Sequence, residues 1–271
     1  MRTSTARGTR TPHRVDVVLP TALCPHGAVP APAIAATVAR LLDHFLLEHG
    51  LAAPAPAPTP TRSAELRAHA AARLQHACTT HAGAVQRVLF LAGAARTRPL
   101  AALLVDLRGV PVAAPAGSAG TAAGAHGDQL ARHTLLTLYR SGDGAAATRE
   151  LPGRTRVHVL VATAAAVSGQ MAADGWHALA GSGYDADADA DAGAVPELPF
   201  TACREAPLIV RMQTPQPLPS QDVFICCDDG GLVSTSGSSI FQQQEEPQQR
   251  QEQEQEQRCI WWEVPEVLRG G

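Results

Sequence analysis

The chain is 271 residues long with a net charge of −3, and all 22 of its Lys+Arg positions are arginine. The missing lysine excludes a phosphate-loop lysine, a Schiff-base lysine and a Ser–Lys dyad, and the slightly acidic balance argues against binding nucleic acid by phosphate neutralisation. Six scattered cysteines without CxxC spacing fit reduced thiols better than a disulfide framework.

Residues 1–14 (MRTSTARGTRTPHR) are basic and rich in Ser and Thr. They read as a flexible tail, with an organelle-targeting segment as the alternative. VDVVL (15–19), closed by Pro20, suits a buried strand. Ile34, Val38, Leu41, Leu42, Phe45 and Leu46 form one helical face that Pro32 can open and Gly50 can stop. LAAPAPAPTPT (51–61) reads as an extended linker.

A second, alanine-rich helix is predicted over 63–85, with Leu66, Ala70, Leu74, Ala77 and Val85 on one side and His69, His76 and His81 along it. RVLFLAG (87–93) is a continuous apolar run that fits a central strand, and LAALLVDL (100–107) is strand or helix by periodicity. Residues 110–127, made of small side chains, read as a loop. Asp128 can then cap a helix over 128–141 whose apolar side holds Leu130, Leu135, Leu138 and Tyr139, with Leu136 off the main stripe. RVHVLVA (156–162) is strand-like. PLIVRM (207–212) and DVFICC (222–227) suggest a strand pair. Residues 181–197 and 228–258 are low-complexity segments, the second dominated by Gln and Glu, and CIWWEVPEVLRGG (259–271) closes the chain. Segregated helices and strands indicate an α+β fold.

The chemistry-bearing motifs are thin. DADADADAG (185–193) fails the calcium-loop template, because Ala192 and Leu198 stand where glycine and glutamate are needed. Cys24, His26 and the pair Cys226–Cys227 lack a second ligand pair at zinc spacing, and no GxSxG or GxGxxG is present. These absences point away from an enzyme and from a bound cofactor or metal. The terminal LRGG matches the tail of ubiquitin-like modifiers, which would make conjugation a minor alternative.

In order, RVLFLAG, the helix at 128–141, RVHVLVA followed by ADGW (173–176), PLIVRM and the terminal Ile260-Trp261-Trp262-Glu263-Val264-Pro265 resemble the comet family of Mad-two-binding proteins. The resemblance implies a HORMA-like domain over 15–227, with helices on one face of a mainly antiparallel sheet. Residues 51–61, 110–127 and 181–197 would be loop insertions, 228–258 a tether, and 259–271 the strand that completes the sheet. It implies a non-enzymatic adaptor of the nucleus and cytoplasm that binds closed Mad-two through its central helix. The adaptor would hand its partner to an AAA+ ATPase, silencing the spindle checkpoint. Arg132, Leu135, Leu138 and Tyr139 would be the partner contacts. Trp176 and His177 match the position of the ATPase contact, although His177-Ala178-Leu179-Ala180 departs from the family's Phe-x-Pro-Lys. A HORMA protein that wraps a peptide is the alternative within the same fold. On a terminal strand Trp261 and Trp262 point to opposite faces, so one is expected in the core and the other over a helix or at the edge.

Overall fold

A computed structural model describes residues 11–24, 27–52, 62–113, 120–142, 150–152, 155–179, 198–200, 203–215, 259–264 and 268–269. Ten strands and four α-helices are seen among them: β1 (His13–Val18), β2 (Val29–Pro30), α1 (Ala31–Glu48), α2 (Arg62–Thr80), β3 (Val85–Gly93), β4 (Ala101–Asp106), β5 (Val112–Ala113), α3 (Gly120–Arg140), β6 (Arg156–Ala164), α4 (Ser168–Ala173), β7 (His177–Ala178), β8 (Leu208–Gln213), β9 (Cys259–Glu263) and β10 (Leu268–Arg269). The fold is α+β.

The main sheet runs β1-β8-β4-β3-β6-β9-β7, with β10 also paired to β6. The strands from β4 to β7 pair antiparallel, whereas β8 is parallel to both β1 and β4. Mostly antiparallel pairing is therefore what the sheet has, with a parallel edge that the sequence reading lacked. Of the expected strand pair around residues 214–220, the first member is β8; residues 222–227 lie outside the described residues.

The centre is set by the two longest apolar runs. β3 pairs β6 from Val85↔Thr163 to Gly93↔Arg156 and β4 from Arg87↔Asp106 to Ala92↔Ala101. Alternation then sorts side chains between the two faces. Val88, Phe90, Leu103, Val105, Val157, Val159, Val161, Val210 and Trp262 meet buried residues of all four helices in the larger core. Leu89, Leu91, Leu104, Leu160, Ile209 and Trp261 form a second buried cluster on the opposite face, against which Leu198, Phe200 and Cys203 pack. Helices on one face is thus correct, and the other face is apolar too.

Helix α1 follows its sequence closely. Pro32 lies in its first turn, and Ile34, Val38, Leu41, Leu42, Phe45 and Leu46 are all buried. It ends where Gly50 adopts a φ of 65° and Leu51 N–H returns to Leu46 O at 2.8 Å, a left-handed cap that suits glycine. Helix α2 buries Ala70, Leu74 and Ala77, but it stops at Thr80, and Val85 opens β3 instead.

Two further boundaries need correction. His13 and Arg14, read as tail, already belong to β1. Residues 120–127, read as loop, are helical, so Asp128 lies inside α3 and caps nothing. The reason is close packing: a Cβ built on Gly127 would sit 2.8 Å from Ala36 Cβ, so only glycine lets α3 approach α1 here. Residues 1–10, 181–197 and 228–258 and Pro265 lie outside the described residues.

Candidate interaction surface and the anchored C-terminal strand

Helix α3 has two unlike sides. Leu130 and Leu138 are at most 1% exposed and belong to the core, while Leu135 is partly buried against it. Leu136 is 42% and Tyr139 60% exposed. Of the predicted contacts, Leu138 is therefore corrected: it faces the core and offers nothing to a partner in this conformation. Arg132, Leu135 and Tyr139 do come together, with Leu136, Arg40, Asp128 and Ala131, around an open groove between α1 and α3.

The groove's polar groups are already organised. Arg40 and Asp128 face each other at 3.6 Å across the helix pair, both well exposed, so the pair contributes little stability. The Tyr139 hydroxyl donates to Glu48 Oε1 at 3.1 Å and lies 3.3 Å from His44 Nδ1, with its ring edge-on to His44. Partial burial, then the hydrogen bond and charge of Glu48, push the phenol pKa up. Burial pulls the His44 pKa down against the opposing pull of Glu48. A rigid aromatic beside arginine is a combination enriched at interface anchors.

β9 is built for a different purpose. Both tryptophans are buried, Trp262 in the helix-side core and Trp261 in the opposite cluster. The question of which one faces in has the answer that each does, on its own face, because both faces of the sheet are apolar. Trp262 Nε1–H donates to Thr163 Oγ1 at 3.0 Å. Ile260 packs against the helix-side core and Cys259 against the opposite cluster.

One step along β9, Glu263 accepts from Arg96 Nη1 at 2.6 Å and contacts His158 Nδ1 at 2.7 Å. Burial alone would raise the Glu263 pKa, but the hydrogen bond and charge of His158, then Arg96, outweigh it and hold the carboxyl below its ordinary value. Single-sequence reading missed this cluster. Its members lie at positions 96, 158 and 263, and only strand pairing brings them together.

Trp176 is 3% exposed, in the helix-side core, with Arg73 stacked 5.5 Å over its ring. Arg73 Nη2 donates to Asp174 O at 2.8 Å, and His81 Nε2 meets Asp174 Oδ2 at 2.9 Å. This buried position does not suit a direct ATPase contact, which corrects the expectation for Trp176. His177 is exposed on β7, the two-residue strand outside β9.

Leu268 and Arg269 pair with Val157 and Arg156, so half of the LRGG tail is held in the sheet. That placement runs against a free conjugation tail. Cys24, Cys78, Cys203 and Cys259 are free thiols. Burial pushes Cys78 up to about 12 and Cys203 to about 11, which keeps them protonated and unreactive. Among the described residues, no group of three or more His, Cys, Asp or Glu side chains could hold a metal, and no helix is long and apolar enough to cross a membrane. No protein-family model and no curated protein matches the chain.

Proposed function

We propose that this chain is a HORMA-like adaptor of the comet type, which docks closed Mad-two on the outer face of α3 and presents it to an AAA+ remodelling ATPase. The observation that carries the reading is the two-sided α3. It packs along α1 yet keeps Leu136 and Tyr139 exposed beside Arg132 and Leu135. A helix that fills the core on one side and shows adjoining aromatic and aliphatic side chains on the other offers a surface that a partner can cover.

Two further features support it. All four helices lie on one face of a mostly antiparallel sheet. The chain's last long strand, β9, joins that sheet, where it lies between β6 and β7; the resemblance implies a terminal strand that completes the sheet. The ATPase half rests on less, since Trp176 is buried and only His177 is available at the β7 edge.

The test is capture of purified Mad-two, locked closed or open, by the folded full chain. Binding of the closed form alone, lost on Leu136→Glu with Tyr139→Glu, supports the proposal. Failure to bind either form contradicts it.

A further inference from the structure

Among the described residues β1 ends the sheet, and its outer side carries a pattern with a use. Its odd residues turn inward: His13 and Leu19 donate their N–H to Pro207 O and Gln213 O at 2.9 and 2.8 Å, and Val15 and Val17 enter the helix-side core. The even residues Arg14, Asp16 and Val18 therefore aim their backbone N–H and C=O outward. Their side chains lie on the opposite face, where all three are exposed and Val18 reaches 54%. One outward acceptor, Val18 O, already has a partner in His133 Nε2 at 3.0 Å.

Charges on an edge strand usually discourage strand addition. These charges are self-complementary in one register. If a second copy lies antiparallel with the two-fold axis at Val15, each Arg14 falls opposite the other copy's Asp16. Those positions are the ones whose backbone groups face each other, giving about four N–H···O bonds, with both ion pairs on the exposed face. Sliding by one pleat sets Asp16 against Asp16 or Arg14 against Arg14, so charge fixes the register. In the favoured register Val18 meets Pro12. Proline has no N–H to give, and Val18 O is the acceptor that His133 already satisfies, so the pairing strands no backbone group there.

We propose that the chain self-associates through β1 as a two-fold dimer whose sheets become continuous across the Arg14–Asp16 pairs. The contact is small, so the dimer is weak and forms at high micromolar concentration. It stands apart from the Mad-two reading, which uses the outer face of α3.

Sedimentation equilibrium of the full chain, over concentrations up to about 1 mM, tests it. Arg14→Asp sets two carboxylates against each other and Asp16→Arg two guanidinium groups, so each variant alone should dimerise at least about tenfold more weakly. An equimolar mixture of the two variants makes every cross-strand pair complementary again and should restore wild-type association. Both sites are exposed, and an unchanged melting curve confirms the fold of each variant. A wild-type chain that stays monomeric, as it would if the edge served a different protein's strand, overturns the proposal. So does charge reversal without effect, or a mixture no stronger than its components.

Discussion

β9 leaves neither of its tryptophans more than 4% exposed, spending one on each face of the sheet, whereas α3 buries Leu130 and Leu138 and keeps Leu136 42% and Tyr139 60% exposed. Both segments are apolar, and the sequence reading assigns each one side for the core and another with a different use. The difference is the number of faces the protein itself can cover. A strand between two apolar layers has no surface to spare. A helix lying on one layer has a second side, and that side is where a partner can act.

The comparison breaks most visibly if β9 is removed. Deletion of 259–271 should leave the chain unfolded at ambient temperature, and a thermal melt like that of the full chain would show the strand to be accessory. Trp261→Ala and Trp262→Ala should each cost about 3–5 kcal/mol in denaturant unfolding, the usual penalty for emptying a large aromatic site. The second also strands the Thr163 hydroxyl.

Glu263→Gln keeps the shape but removes the charge shared by Arg96 and His158, with an expected loss of about 2 kcal/mol at neutral pH. The sign of its pH dependence follows from the depressed folded pKa. The carboxylate's contribution is complete above its ordinary unfolded value and is lost as pH falls through the lower folded value. Melts taken from neutral to about pH 3 should therefore lose part of their acid slope in Glu263→Gln.

Gly127→Ala comes next. The added methyl meets Ala36 Cβ at 2.8 Å, and the cost of parting α1 and α3, about 1–3 kcal/mol, should outweigh the ~1 kcal/mol gained in helix propensity. Leu136→Glu and Tyr139→Glu should be the mildest, each shifting stability by no more than about 0.5 kcal/mol because the surface is exposed. Leu138→Asp, on the same helix, should instead unfold the domain.

Much of the fold was legible because it rests on long apolar runs. RVLFLAG reads as a central strand and RVHVLVA as a strand, and the two pair with each other at the middle of the sheet. Helix α1 declared its buried face by spacing and its end by Gly50. What could not be read depends on tertiary contact. GTAAGAHG has the composition of a loop, yet it is helical where glycine permits close approach to α1. The phase of α3 was legible to within one side: Leu136 stood off the stripe, but nothing local marked Leu138 as sealed and Tyr139 as open. Trp176 reads as a surface anchor until Arg73, distant in sequence, comes to lie over its ring. The Arg96–Glu263–His158 cluster has no local signal at all.

The central proposal is that the outer side of α3 serves a partner while its inner side serves the fold. Its most direct test is the affinity of the Leu136→Glu/Tyr139→Glu double variant for closed-locked Mad-two, measured beside its melting curve. The account predicts a wild-type melt with binding reduced at least about a hundredfold, the loss of some 2.7 kcal/mol expected of an anchor pair. Wild-type binding by the folded variant would contradict it.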